Sequence, residues 1–599
     1  MLASVLVDRG SAAPGTPFTE ELFQGASSHL EHQEPRVRGL VAKLLGSLAR
    51  SSDGVSAYDR FEERLVGSIK DNFERTTKVI PDVVSGDKDV AVDDTTGWKA
   101  LETSVLAMQQ FVEAIGRPFV DNGTATKLSP ELVHYIVSGA TKHVNRHVRE
   151  ASLKLIASII DVSGVLEGEG APSQGDALTE AFSKAIIIGL QDNWSQVRYA
   201  ASVANRSLLG ALPKEARNRL YPTLLPRMCL NRYYLAEGVK LYSQATWEMF
   251  MDGEGPAVVA AHADAVVAYY IEMTEANNHV VREGACHCIA EMAMKIDKDP
   301  MKGHVPSLLN ALLACFHDES WPVRDAACVA SGRFAAAYPA QCQSSLERLY
   351  ERWFVHLCEP IWSVREDSAI ALGLVCKAYG DEAVTRCQDW LSANLNKAKD
   401  QPAQTREEHK ALANDAAAHT DQQRYSCGSL APKLKKGGCS DCEVTRPSMP
   451  WEYTDGGIYL IKELCAVAPS VATGYFEDLA ALAKLSHFPQ ADTLRETLWR
   501  QLPQMARVLG KKPFKAYLEL FLDPIFSTLT WPGQHQLAQH AAGDCLQALS
   551  TFIGPGIFRG RLSEEQAGIM DSSPHCQPGI PPGGIGMAPW AAVGTPAGQ

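Results

Sequence analysis

Apolar positions along this chain recur at helical spacing. Val148, Ala151, Leu155 and Ile159 fall at i, i+3, i+7 and i+11, and Val197, Ala200, Ala201, Ala204 and Leu208 do likewise. Each set is a single stripe along an amphipathic helix. A second kind of helix lies between such stripes, as in Val305 to Phe316, with Leu308, Leu309, Leu312 and Leu313 on one side. No stretch alternates with period two between turn signals, so the pattern predicts helices and no strands.

One short pattern repeats: a polar or turn residue, then Val-Arg, then an Ala-rich apolar helix. It occurs at Val37-Arg38, Val148-Arg149, Val197-Arg198, Val281-Arg282, Val323-Arg324 and Val364-Arg365. The valines at 197, 281, 323 and 364 are separated by 84, 42 and 41 residues. Since 84 is twice 42, a further copy is expected near 239, and Val239-Lys240 stands there. Weaker copies follow at Ile461-Lys462, Leu494-Arg495 and near Leu537, and Trp98 to Glu102 reads as another. A fixed period of this length marks stacked helix pairs, each burying its stripe on its neighbours.

These residues resemble the HEAT repeat of the armadillo-like α-solenoids, whose units are antiparallel helix pairs of about 40–47 residues. In that family the second helix opens with Val-Arg after an acid-bearing turn. Asp192 before Arg198 and Asp318 before Arg324 match, Glu359 stands in before Arg365, and the copies at 239 and 281 lack the acid. The resemblance covers residues 30–395 and 450–555. It implies an all-α HEAT-type superhelix of roughly ten helix pairs. The expected organisation is an N-terminal segment at 1–29, the solenoid at 30–395, a polar insertion at 396–449, further HEAT-like repeats at 450–560, and a disordered tail at 561–599. Residues 80–97 and 163–177 read as loops. The last 29 residues hold 6 Gly and 6 Pro, a composition that cannot bury enough apolar surface to order itself.

The chain has 599 residues, with 57 Lys+Arg against 70 Asp+Glu and a formal charge of −13. That balance argues against coating nucleic acid or an anionic membrane. No apolar run approaches the length of a membrane span. The start, with Asp8 and no basic cluster before a short apolar run, is a poor secretory signal, so the expected location is the cytoplasm. Fifteen cysteines, most inside apolar helical patterns, read as buried reduced thiols.

Five arginines, Arg149, Arg198, Arg282, Arg324 and Arg365, recur with the fold. They are expected to form a structural ladder with Asp192, Asp318 and the turn carbonyls of neighbouring repeats. Trp194, Trp321 and Trp362 stand at the same turns, and with Trp247 they are candidate anchors for a partner; the competing reading packs them into seams. In the insertion, Cys439-Ser-Asp-Cys442 with Cys427 and His419 has the donor types for a tetrahedral structural zinc, against unliganded loop thiols. Lys433, Lys435 and Lys436 form a basic loop. No phosphate loop, dinucleotide fingerprint or nucleophile elbow is present. The Glu-His pairs at 31–32 and 408–409 do not repeat at matched positions, unlike those of the iron-dependent HEAT hydroxylases. The expected function is therefore a non-catalytic scaffold or adaptor that binds other proteins. Two alternatives are an importin-type transport receptor for basic cargo, which the solenoid build and acidic charge resemble, and a microtubule- or cilium-associated HEAT protein, which the net charge opposes.

Overall fold

A computed structural model describes residues 17–51, 53–79, 98–120, 127–164, 174–409, 447–531 and 535–576, without the side chains of 17–18, 72–79 and 174–176. Among them every regular element is helical. The described chain divides into two compact units, the first ending at Ser344 and the second beginning at Ser345. In the first, the valine-bearing helices are α1 (Pro35–Ser51), α2 (Trp98–Ile115), α3 (Arg146–Ser163), α4 (Ser195–Ala211), α5 (Glu237–Met251), α6 (His279–Lys295) and α7 (Trp321–Ala337). In the second, α8 (Trp362–Tyr379) is followed by α9 (Pro450–Val467), α10 (Ala491–Leu509) and α11 (Gln536–Ile553).

These helices stand side by side. The series α1 to α4 packs each on the next, α4 meets α5, α6 packs on α7, and α8 to α11 form a continuous row. A second layer backs them: Gln174–Gly189 lies on α4, Val305–Cys315 on α7, and Leu518–Thr530 on α11. The repeat valines sit at the centre, with Val148, Val323 and Val364 wholly buried and Val197 and Val239 nearly so.

Close stacking depends on one position, nine residues after the valine. Gly46, Ala157, Ala290 and Gly373 occupy it in α1, α3, α6 and α8. A Cβ on Gly46 would lie 2.9 Å from that of Gln110, and one on Gly373 would lie 2.8 Å from that of Glu463. Neighbouring backbones thus approach as closely as a missing or minimal side chain allows.

Several boundaries differ from expectation. The segment read as a tail from 561 carries a helix, Glu564–Ser572, opened by a capping box between Ser563 and Gln566. The following turn, Pro574–Cys576, rests on α11 with Cys576 buried. The capping residues and that single apolar contact were hidden by the Gly/Pro content downstream; residues 577–599 lie outside the described part. Residues 1–29 include the helix Pro17–Ser28, which buries Phe23 and Ala26. The insertion is anchored at its start: the amide of Ala398 donates to Thr454 Oγ1 at 3.0 Å, and the Thr454 hydroxyl donates to the Leu395 carbonyl at 2.8 Å. Residues 80–97 lie outside the described part, as do 165–173.

No helix among the described residues is long and apolar enough to cross a membrane. The twelve described cysteines are all free and buried. Burial pushes the thiols of Cys342 and Cys465 up to about 12. Thiolate, not thiol, reacts with alkylating agents. These twelve are therefore expected to stay unmodified when the folded chain is treated with iodoacetamide at neutral pH, and to label fully in denaturant. Peptide mass spectrometry reads the result, and rapid native labelling of Cys342 or Cys465 would contradict it.

Candidate functional site

The repeat arginines each hold two or three partners of the fold. Arg149 bonds Asp192 of the next repeat through Nε at 2.7 Å and Nη2 at 3.1 Å, and donates to the carbonyls of His143 and Val144 at 2.7 Å each. Arg282 bonds Asp318 at 2.6 and 2.7 Å and the carbonyls of Ala276 and Asn277. Arg198 donates to the Asp192 carbonyl at 3.0 Å and to Asn231 Oδ1 at 2.6 Å. Arg324 donates to the carbonyls of Asp318 and Glu319. Arg365 donates to those of Glu359 and Pro360 and bonds Asp455 at 2.8 Å. The carboxylates of Asp192 and Asp318 take the arginine of the preceding repeat, while the arginine of their own turn takes main-chain carbonyls and, at Arg198, the side-chain oxygen of Asn231.

Two members of this ladder were not among the sequence candidates. Arg38 bonds Glu102 at 2.6 Å and the carbonyls of His32 and Gln33, and its Val-Arg dipeptide was the available signal. Asp455 lies ninety residues beyond its arginine, across the insertion, and nothing local marks it. The Arg365–Asp455 pair is 1% and 0% exposed. Breaking a buried pair strands the surviving charge, which costs about 3–5 kcal/mol. Asp455→Ala is expected to lower the unfolding free energy by that order in chemical denaturation, whereas Glu20→Ala, at an exposed pair with Arg60, is expected to leave the denaturation midpoint nearly unchanged.

His143 stands in the turn before α3, 5% exposed, and its Nδ1 accepts the amide of Asn145 at 3.0 Å. Burial, helped by the charge of Arg149, lowers its pKa to about 4. The unfolded chain takes up this proton near 6.5, so the folded state loses relative stability as pH falls from there to about 4. The first unit is expected to melt earlier over that window, and His143→Asn to flatten the dependence; an unchanged slope in the variant would remove His143 as its source.

The four candidate tryptophans do not come together. Trp194 is half-buried three residues before its valine, with the Arg146 guanidinium 4.0 Å above its ring. Trp321 is half-buried and Trp362 is 53% exposed, each two residues before its valine. Trp362 belongs to the second unit. Trp247 lies away from the turns, in the middle of α5.

That helix has the least covered surface of the first unit's row. At the close-stacking position it carries Glu248, where α6 has Ala290 and α4 has Arg206 bonded across to Thr246, and α5 does not pack side by side with α6. Positions buried in the other valine helices (Leu153, Ser202 and Cys286 at one; Ile156, Asn205 and Ile289 at the next) are taken by partly exposed Gln244 and Trp247. Leu241 and Met249 are 58% and 60% exposed, and Leu235 in the preceding turn 66%. Charge and rings bridge the base of the opening. Arg232 pairs with Glu291 of α6 at 2.5 Å and lies 4.2 Å from the Trp247 ring, and Tyr233 stacks on His287 of α6. Glu237, Glu248 and Asp252 are exposed along α5. On α4, Tyr199 is 40% exposed and meets Tyr242 edge to face. An uncovered apolar stripe of this kind marks a contact surface. No sequence candidate except Trp247 pointed here; the acid at position 248 was the readable signal.

In the second unit a hollow of about 600 Å³ is lined by Arg406, His487, Phe488, Asp492, Arg495 and Trp531. Its arginines both pair with Asp492, at 2.5 and 2.6 Å, and Glu408 in the same lining supplies the second carboxylate that balances them. His419, Cys427, Cys439 and Cys442 lie outside the described residues, among which no group of three or more His, Cys, Asp or Glu could hold a metal.

Residues 308–338, which span α7 and most of the helix before it, match the family model of the HEAT repeat. The fold is an all-α array of stacked helices, and the helix pair at 308–338 within it is similar to the HEAT repeat. No curated protein matches the chain. Solved structures that resemble it include Kap121p bound to RanGTP, 13% identical over 91% of this chain and 51% of that one, with a TM-score of 0.39. The karyopherin Kap121p bound to the extreme C-terminus of the protein phosphatase Cdc14p is 13% identical over 91% and 51%, at 0.37. Kap95p with RanGDP is 14% identical over 94% and 70%, at 0.32. The chain spans about half the length of the Kap121p structures.

Proposed function

We propose that the protein is a non-catalytic adaptor that binds other proteins along the solvent-facing stripe of its valine helices. The observation that carries this is the exposure of Tyr199, Leu241 and Met249 on α4 and α5. Those residues lie on regular helices, a rigid base for a contact surface. The ladder arginines are engaged by carbonyls and carboxylates of the fold, which supports a structural role for them and leaves recognition to the stripe. A second reading, an importin-type receptor for basic cargo, is favoured by the exposed carboxylates of Glu237, Glu248 and Asp252. The cytoplasm, with access to the nucleus under that second reading, is the proposed location.

The test is lysine cross-linking of the tagged full chain in its own cells, followed by mass spectrometry. Links to partners are expected at Lys99, Lys154, Lys240 and Lys295, which lie on the valine helices, in preference to Lys184 and Lys214 on the backing layer. Links confined to the backing layer would overturn the proposed surface. Recovery that depends on a small GTPase and its nucleotide state would select the transport reading.

A further inference from the structure

We propose that the opening beside α5 receives one amphipathic helix of a partner protein, apolar along one side and basic at its ends. This names the partner chemistry of the adaptor reading above and rests on it.

The first ground is what α5 lacks. In α1, α3 and α6 the valine helix meets its next neighbour through a Gly or Ala, and in α4 through Arg206, which bonds Thr246 and the Tyr242 carbonyl of α5. Glu248 holds α6 off, and the surface that a neighbouring helix would cover stays bare: Gln244, Trp247 and Glu248 on its flank, Leu241, Ala245 and Met249 on its front. Leu241, Ala245 and Met249 recur every four residues, so they form one continuous apolar line along the helix. A helix laid against that line meets it at the same spacing over the whole length, which an extended strand of period two does not. The fifteen residues of α5 run for about 22 Å, so a partner helix of about four turns covers them.

The second ground is charge. Glu237 lies one turn before Leu241, and Glu248 and Asp252 flank Met249. All three are exposed. On the facing wall, Glu283 of α6 sits 3.7 Å from His287. Of the nearby cations, Arg232 and Lys295 are both taken up by Glu291, at 2.5 and 2.9 Å, Arg206 is held by Thr246 and the Tyr242 carbonyl, and Lys240 stands between Glu237 and Leu241. The apolar line is thus bracketed by carboxylates at both ends. Lysine or arginine near the ends of the incoming helix complements them and disfavours acidic competitors.

The experiment places a photoreactive p-benzoylphenylalanine at position 241 or 245 of the full-length chain in its own cells. Val355 and Leu520, exposed residues of the second unit, serve as comparison positions. Adducts are sequenced by mass spectrometry. The expected result is a partner peptide at 241 and 245 whose apolar residues recur every three to four positions and whose ends carry Lys or Arg. Adding Glu248→Lys and Asp252→Lys should cut its yield about tenfold with helicity unchanged by circular dichroism. Partner adducts at 355 or 520 but not at 241 or 245 would overturn the helix proposal while leaving the adaptor reading standing. So would adducts with acidic or non-periodic peptides, with residues 410–446 or 577–599 of the chain itself, or with a second copy. An absence of partner adducts at all four positions would overturn both.

Discussion

A guanidinium withdrawn from water has to be met on every side, and that requirement organises the turns of this protein. An isolated buried charge is prohibitively costly, so each repeat arginine is met by turn carbonyls, joined by a carboxylate at Arg38, Arg149, Arg282 and Arg365 and by the Asn231 amide oxygen at Arg198. The carbonyls come from its own turn, six and five residues back; the carboxylate or amide comes from the next repeat. One side chain therefore fixes the local path of the backbone and the place of the following unit at once. A lysine cannot do this, because its ammonium lacks the planar fork. Where Lys240 replaces arginine, the tie to the following helix is made instead by Arg232, from the preceding turn, reaching Glu291.

The spacing between helices has a separate cause, the bulk of one residue. Glycine or alanine at that place brings backbones together and gains dispersion contacts over the full helix length. Arg206 occupies it in α4 and reaches instead to Thr246 and the Tyr242 carbonyl, which keeps contact through polar bonds. Glu248 in α5 has no such reach, and the row opens. Architecture and recognition surface thus come from the same position filled by different side chains.

Much of the architecture was legible in the chain itself. The Val-Arg dipeptide and its 41–42 residue interval located the valine helices from 197 to 364, including the copy at Val239 with a substituted cation. The ladder was expected to join each arginine to the acid or turn carbonyls of a neighbouring repeat; Arg149 and Arg282 do take the acid of the next repeat, but the carbonyls belong to the arginine's own turn, five and six residues back. Long-range partners such as Asp455 have no local signature. Tryptophan content drew notice to the turns, although Trp194 and Trp321 sit one register apart and only Trp362 is largely exposed. The uncovered face of α5 was written in the chain as an acid, Glu248, in a place that α1, α3, α6 and α8 keep small and α4 fills with an arginine, but a single departure is visible only after the stacking rule is known.

The rung between Arg365 and Asp455 also bears on how such a chain can change over generations. Its two residues are neighbours in space although ninety positions apart in sequence, so the seam between α8 and α9 is held by side chains of the two helices, with the first residues of the joining chain bonded to Thr454 of α9. The entropic cost of a flexible connection rises only with the logarithm of its length, about 0.6 kcal/mol for each doubling. At this seam, material can be added, removed or exchanged for a foreign module at little thermodynamic expense, while an extra residue inside any valine helix would rotate everything beyond it out of register. The insertion site is the molecule's natural place for experiment by evolution, and the first place where an engineer should attach something new.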